Sequence, residues 1–253
     1  MKNISLIILL SFFMTNALNS QDTTSTFKYD VKWHLTGRVL TGTFEQFVFN
    51  SNLDFKIETH RWEIHNATFY RYNQTGNTKI EDNWYQLVSL SYFINNKKFF
   101  PSGFYHYDNN LMFRVNNRHL FGAGAGTIIQ RKKHFIRLDG GFGYDKTIYN
   151  GNTFENSNRI GAIRERPLVV GRLVQEHSIL NNKLLISNTV FYRHSLEETA
   201  DYLVILSPKV MLKIIKHLSV NLSYEYRFEK VHLVGLEETN SLLSFGITFH
   251  ASK

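Results

Sequence analysis

The sequence predicts an all-β fold, a single transmembrane antiparallel β-barrel of about twelve strands, and three features of the chain predict it. Apolar and polar residues alternate over most of the chain, as in strands with one apolar and one polar face. Most alternating segments are long enough for a tilted strand that crosses a bilayer, which needs about 9–11 residues; strands of soluble proteins usually have about five or six. The connections between segments alternate between short and long, as in outer-membrane barrels.

The N-terminus predicts a cleaved signal peptide over residues 1–20, followed by the barrel domain in residues 21–253. Lys2 gives a positive start, and an almost unbroken apolar run extends from Ile4 to Phe13 before small and polar residues begin. This run is shorter than the roughly 20 residues that a transmembrane helix needs. We therefore expect secretion across the inner membrane and localisation in the bacterial outer membrane.

Composition excludes several other classes of protein. With 43% hydrophobic and 15% aromatic residues, the chain is too apolar to be disordered. It has no cysteine, which excludes disulfides, thiolate metal sites and a cysteine nucleophile. The net charge of +8 comes from lysines and arginines that are spread along the chain, so we expect no nucleic-acid partner.

The stretch LSVNLSYEYRFEKVHL, residues 218–233, displays the alternation clearly. Apolar and aromatic residues occupy every second position from Leu218 to Phe228, and polar residues occupy those from Ser219 to Glu229. We predict that the first set faces lipid and the second a polar lumen. The same pattern predicts strands near residues 27–40, 43–58, 61–74, 78–94, 99–107, 113–131, 134–149, 164–179, 183–195, 201–216, 218–231 and 238–250.

The connections alternate in length along the second half of the chain. Tight turns are predicted near residues 95–98, 131–133, 181–183 and 216–217, and longer or more polar loops near 150–162, 195–200 and 235–239. In outer-membrane barrels the short turns lie in the periplasm and the long loops outside the cell. An even number of strands also brings both chain ends to the periplasmic rim.

Three segments resemble a known family: FGAGAGTIIQRKKHFIRLDGGFGYDKTIY, the hairpin DYLVILSPKVMLKIIKHLSVNLSYEYRFE and the final strand SLLSFGITF. Together they resemble the salt-induced outer-membrane protein family, whose function is uncharacterised. The resemblance covers the chain from about residue 27 onward. It implies an outer-membrane β-barrel and carries over no catalytic residue.

The glycine-rich motif GAGAG is interpreted as structural. A phosphate-binding loop would need a following Gly-Lys-Ser/Thr and a helix, and neither is present in the sequence pattern. If residues 131–134 form a turn, Gly124 lies opposite Gly141 and Gly122 opposite Gly143, all facing inward. Glycines on neighbouring strands leave space in the lumen or allow the wall to bend.

Two serine–histidine combinations raise the alternative of a lipid-modifying enzyme, a lipase or deacylase. Such an enzyme needs the two side chains together near the outer leaflet, with a third group that orients the base. His217 is placed at a predicted periplasmic turn, and His194 and Ser195 point to opposite faces. We therefore predict no catalytic residue.

Ligands and partners are predicted mainly from the barrel itself. His60 and His65 lie on opposite faces, so no shared metal site is expected, and we predict no cofactor. We expect outer-membrane lipids around the wall, the barrel-assembly machinery during biogenesis, and a monomer; the sequence leaves the solute open. A passive channel, a structural barrel filled by its own side chains and the enzyme remain as functions.

The predicted lumen carries both signs of charge. The candidate lining residues are Arg137, Asp139, Arg193, Glu225, Arg227 and Glu229. A barrel of about twelve strands is narrower than a 16-stranded porin, so long charged side chains can bridge it, and desolvated charges must be paired. We hypothesise a narrow or largely occluded lumen with weak ion selectivity, in which Arg227 and Glu225 are central. The alternative is that these groups only solvate the wall.

Overall fold

The computed structural model describes residues 27–40, 45–94, 98–157 and 160–252. Within these ranges the chain forms one closed antiparallel barrel of twelve strands and a separate two-stranded sheet. The predicted fold class is therefore confirmed. The predicted signal peptide, residues 1–20, lies outside the described residues. In the described part of the chain, no helix is long and apolar enough to cross a membrane.

The strands follow the predicted order. They are β1 Lys28–Leu40, β2 Gln46–Glu58, β3 Trp62–Thr75, β4 Thr78–Tyr92, β5 Phe99–Asn110, β6 Val115–Arg131, β7 His134–Tyr149, β8 Phe154–Glu155, β9 Ile163–Ile179, β10 Leu184–Ser195, β11 Tyr202–Ile215, β12 Leu218–Glu229, β13 His232–Leu233 and β14 Thr239–Ser252. All except β8 and β13 form the barrel, in which consecutive barrel strands pair and β14 pairs with β1. The barrel strands have 12 to 17 residues, long enough to cross a bilayer.

The connections give the barrel two different rims. The short-turn rim also carries both ends of the described chain and the turns at residues 59–61, 132–133, 180–183 and 216–217. Residues 95–97 of the turn predicted at 95–98 lie outside the described residues. The opposite, long-loop rim carries residues 150–157, 160–162, 196–201 and 230–238 besides shorter connections. This arrangement agrees with the alternation of short and long connections in the sequence.

Side chains alternate between the lumen and the outer wall along each barrel strand. In β12, Ser219 and Asn221 are buried in the lumen, whereas Leu222 faces outward and is 46% exposed. In β14, Thr248 is buried and Phe245 is exposed on the outer wall. The two faces of these strands are therefore those that the alternation predicts.

The glycines of β6 and β7 meet in the predicted register. Gly122 lies opposite Gly143, and Gly124 lies opposite Gly141. The ring of Phe104 lies over this patch, because a Cβ on Gly122 would be only 2.6 Å from its Cζ atom. The glycines thus form a patch of wall without side chains, and the ring of Phe104 packs on this patch from the lumen.

A charge on the outer wall should cost much more than a charge in the lumen. We expect Leu222→Arg to destabilise the barrel by about 2–4 kcal/mol, because it would place an arginine against the middle of the bilayer. Ser223→Arg, on the next residue, should be mild because its side chain points into the lumen. Heat-resistant migration on gels measures both, and equal tolerance would contradict a lipid-facing wall at β12.

Candidate functional site in the lumen

The lumen contains a cavity of about 1320 Å³ that follows the barrel axis. At the short-turn rim its lining includes Lys28 and Glu58, and at the long-loop rim it includes Asn110 and Asn240. The cavity therefore reaches residues at both ends of the strands. A solute could be held in this space.

Beside this cavity, at the long-loop end, ten charged side chains form one continuous set of ion pairs, which we call the arginine network. Its members are Arg118, Arg164, Arg166, Arg193, Arg227, Asp108, Asp145, Glu198, Asp201 and Glu229. Five positive charges are matched by five negative charges. This balance is what burial requires, since a desolvated charge is stable only when it is paired.

Asp145 of β7 lies at the centre of the arginine network and is fully buried. Its Oδ2 atom accepts a hydrogen bond from Arg166 Nε at 3.0 Å and lies 3.7 Å from Arg193 Nη1. Thr147 Oγ1 donates to the same oxygen at 3.0 Å. Arg166 also pairs with Asp201 from the loop after β10, so the network joins strands to the long-loop rim.

Glu229 of β12 extends the network across the lumen. It accepts hydrogen bonds from Arg193 and Arg227, both at 2.7 Å, and from Arg118 of β6 at 3.5 Å. β6 and β12 are five positions apart in the ring of twelve strands, so they lie on nearly opposite walls. The side chains of the network therefore span the interior at this level.

A second group of charges lies closer to the short-turn rim. Arg137 of β7 pairs with Asp139 at 3.0 Å and reaches Glu63 of β3 across the lumen. Asp139 also accepts from Arg172 at 3.1 Å, and Glu63 also pairs with Lys56 at 2.7 Å. These contacts form a second bridge between opposite parts of the wall.

An apolar cluster lines the lumen between the two charged groups. Leu120, Leu168 and Val170 are buried there, with Phe104 and Phe191 packed against them. Apolar side chains at this level keep water away from the adjacent face of the arginine network. Because water is excluded there, each buried charge of the network needs a partner of opposite charge.

Two loops close over the network at the long-loop rim. β8 and β13 pair as a small antiparallel sheet, and Phe154 and Leu233 from these strands are buried with Val115, Tyr149 and Val231. The guanidinium of Arg164 lies 4.9 Å from the Phe154 ring centroid, and the Tyr149 hydroxyl accepts a hydrogen bond from Arg118 at 3.4 Å. This apolar cluster therefore covers the outer end of the network.

Exposed polar contacts also join these two loops. Asn156 Nδ2 donates to the Lys230 carbonyl at 3.1 Å and to Glu238 Oε1 at 3.2 Å. The hydrogen bond from Lys230 Nζ to Glu238, 2.8 Å long, raises the pKa of Lys230 and lowers that of Glu238. Both groups stay charged at neutral pH and keep the loop ends together.

Comparison with known families decides the membership of the chain. A family model described as "Protein of unknown function, DUF481" matches residues 34–250. The chain belongs to the DUF481 family. This membership confirms the resemblance to an uncharacterised family that was drawn from the sequence. No curated protein matches the chain.

Solved structures similar to this DUF481 chain include a porin, an outer-membrane channel and the translocator domain of an autotransporter. The NanC porin has a TM-score of 0.51 and 10% identity, over 87% of this chain and 98% of that chain. The COG4313 outer-membrane channel from Pseudomonas putida F1 has a TM-score of 0.49, 10% identity and coverage of 90% and 96%. The translocator domain of autotransporter NalP from Neisseria meningitidis has a TM-score of 0.45 and 11% identity, over 98% of this chain and 96% of that chain. At this identity the NanC likeness establishes the fold alone, an outer-membrane β-barrel.

The predicted lining residues fall into three different environments in the DUF481 chain. Arg193, Arg227 and Glu229 belong to the arginine network. Arg137 and Asp139 form the core of the second bridge. Glu225 lies apart from both, with a side chain that is 45% exposed and 3.9 Å from Arg71.

Sequence reasoning missed several network members. Arg164, Arg166 and Asp145 occupy inward positions of alternating strands, so the same period of two could have identified them. Asp201 comes from a loop, where no period applies. Its role follows only from the way in which the long-loop rim folds back onto the barrel.

The serine–histidine pairs are not brought together. His217 lies in the turn before β12, with Nδ1 3.0 Å from the His250 carbonyl oxygen, whereas Ser219 is buried in the lumen. Ser195 is buried and accepts a hydrogen bond from the Glu197 N–H at 3.2 Å. Among the described residues, neither pair is joined by a hydrogen bond, and no three His, Asp or Glu side chains are grouped to hold a metal ion.

Proposed function

We propose that this chain is a narrow passive channel in the bacterial outer membrane. The observation that carries the proposal is the cavity whose lining extends from Lys28 and Glu58 at one rim to Asn110 and Asn240 at the other. A barrel of about twelve strands leaves space for such a passage without the wide opening of larger porins. The outer-membrane location is supported by the barrel fold and by the apolar outer wall.

Charged contacts across the lumen support a narrow passage. Arg71 of β3 approaches Glu225 of β12 to 3.9 Å, and these strands are four positions apart in the ring. Nearer the long-loop rim, Arg118 of β6 and Glu229 of β12 make a second contact across the lumen at 3.5 Å. A solute that crosses the barrel therefore passes both bridges, which favours small hydrated solutes.

The lining charges support weak ion selectivity. Eleven basic and nine acidic side chains line the cavity among the described residues. A potential that is nearly balanced in sign neither concentrates nor repels one type of ion strongly. The proposed solutes are therefore small ions and polar molecules of either sign.

Removal of the Arg71–Glu225 bridge should raise the conductance. We expect a small single-channel current for the parent protein in a planar bilayer and a larger one for the double variant Arg71→Ser/Glu225→Ser, since two long side chains leave the passage. This pair is a sharper choice than one that includes Arg193, whose loss would also disturb the arginine network.

The matched control is Lys146→Ser/Glu165→Ser, which removes an exposed ion pair from the outer wall at the long-loop end. Its current should equal that of the parent. A large parent current that the lumen variant leaves unaltered would overturn the narrow channel.

The arginine network and the apolar loop cluster favour a second candidate, a structural barrel with a lumen filled by side chains. These groups fill the β6 to β10 side of the interior at the long-loop end. The same recordings separate the two candidates, because a structural barrel gives no current in the parent or in either variant. A lipid-modifying enzyme would instead produce lipid turnover that is lost when one serine or histidine is replaced.

The orientation of the barrel can be tested with two similar tag positions. Asn156 in a long loop and Asn182 in a short turn both have positive φ, 59° and 65°, and both are exposed. We expect an epitope tag at Asn156 to be labelled on intact cells, because long loops of outer-membrane barrels are extracellular, and a tag at Asn182 to be hidden. The reverse labelling would contradict the proposed orientation.

A further inference from the structure

The seam between β1 and β14, where the barrel closes, is paired over only part of its length. Six residue pairs join the two strands, and the last of them is Leu35 with Ile247. Beyond this point β1 continues to Leu40 in full register with β2, and β14 extends back to Thr239 alongside β12. Both strands are thus present in the half of the seam nearer the long-loop rim, which we call the upper half; the paired half is the lower seam.

The upper half has no ladder although the register could continue. Continuation would pair Val39 with Leu243 and Leu40 with Leu242, but within the described residues β1 and β14 make no such pair. The situation differs from that of β4, whose first residues lack a partner because β5 has ended at Asn110. At the seam, two extended strands leave their facing edges free.

Exposure supports a separation of the two edges. The last four residues of β1 are all exposed, so the alternation of buried and exposed positions is lost there. Leu40, which faces the lumen by the alternation of β1, is 42% exposed. The end of β1 is therefore covered by β2 on one side only.

Water in the lumen explains how free strand edges can persist in this wall. Backbone N–H and C=O groups without partners are strongly disfavoured in hydrocarbon and are tolerated where they line a water-filled cavity. Thr36, Leu242 and Ser244 line the lumen cavity directly at the open seam. The gap therefore connects a wet interior with an apolar outer surface.

A basic side chain stands at this gap. Arg38 donates a hydrogen bond to Gln46 Oε1 and makes no ion pair with a carboxylate among the described residues. A guanidinium with remaining donors binds carboxylate or phosphate groups well.

We propose that the unpaired half of the β1–β14 seam is a lateral portal for an anionic amphiphile with a single alkyl chain. The alkyl chain lies between the outward side chains of Val39, Leu243 and Phe245, and the carboxylate or phosphate headgroup binds Arg38 at the lumen edge. The portal rests on the bilayer location proposed above. It does not depend on ion conduction.

The opening itself can be tested by cysteine pairs, because the chain has no native cysteine. Val31→Cys/Ala251→Cys joins an existing pair in the lower seam, whereas Val39→Cys/Leu243→Cys joins the corresponding positions above. Opposed residues of an antiparallel ladder have Cα atoms about 4.5–5.5 Å apart, which suits a disulfide. In bilayers with copper phenanthroline, we expect the lower disulfide to form and the upper one to be absent.

Equal yields for the two pairs would mean that the seam is closed to the rim, and the portal would be wrong. If neither disulfide forms in the folded protein, the lower seam is also open and the portal as described is again wrong. Neither readout uses current, so a barrel that does not conduct could still confirm the portal.

The occupant can be identified with photoreactive probes that have a twelve-carbon chain and carry the diazirine next to the headgroup, one with a carboxylate, one with a phosphate and one with a phosphocholine headgroup. We expect the anionic probes to form adducts at the lumen-facing Thr36 and Ser244, mapped by mass spectrometry. Arg38→Gln should lower these adducts about tenfold, the effect of losing a charge-assisted hydrogen bond. Lys146→Gln, on the opposite wall, should leave them unchanged.

The carboxylate and phosphate probes distinguish a fatty acid from a lipid phosphate as the preferred headgroup. Equal labelling by the phosphocholine probe would overturn recognition of an anion. Adducts confined to lipid-facing residues such as Leu222 would overturn entry through the seam.

Discussion

Gly124→Val is expected to prevent formation of the folded barrel. A Cβ at this position would lie 2.8 Å from the Cα atom of Gly141 and would overlap the Gly140 carbonyl. These neighbours are backbone atoms of β7, and the spacing of paired strands is fixed by their hydrogen bonds, so no side-chain rotation relieves the overlap. We expect a cost above about 3 kcal/mol and no heat-resistant species on gels.

Gly171→Val is the matched control for this change. Gly171 lies on β9 in the same wall, and a Cβ there would meet nothing within 4 Å. The control should fold with the stability of the parent, because its new side chain points to the outer surface. Equal folding of the two variants would contradict the close approach of β6 and β7 at Gly124.

Much of the fold could be predicted because a β-strand repeats every two residues. A shift of one residue would turn a whole strand inside out, so the alternation in LSVNLSYEYRFE fixes which residues face the lumen. The tight turn at residues 132–133 then fixes the register of β6 on β7, and hence the pairing of Gly124 with Gly141. Both inferences need only residues that are close in the sequence.

The arrangement of the site depends on contacts that no local pattern contains. Arg118 and Glu229 are 111 residues apart, and their contact follows from the closure of the barrel. Alternation placed Glu225 and Glu229 on the same face of β12, but it did not indicate which of them joins the arginine network. The pairing of β8 with β13 and the half-open seam are likewise properties of the closed structure.

Asp145→Asn is expected to destabilise the protein by about 3–5 kcal/mol, the usual cost of removing one partner from a buried ion pair. The change would leave the five arginines of the network with four carboxylates, and Arg166 and Arg193 would lose a charged acceptor inside the barrel. Apolar side chains on both sides of the network limit the number of water molecules that could solvate these two arginines in place of the carboxylate. Guanidinium unfolding followed by tryptophan fluorescence in detergent micelles measures the loss.

Lys146→Gln provides the control on the adjacent residue. Lys146 points outward and pairs with Glu165 at 2.6 Å on the exposed surface, where water screens the attraction, so the variant should unfold like the parent. Asp145→Leu/Arg166→Met removes both a charge and a countercharge, so it should regain part of the stability that Asp145→Asn loses. If Asp145→Asn and Lys146→Gln were equally stable, the arginine network would be hydrated, and the interior beside the cavity would be open to water along the whole β6 to β10 wall.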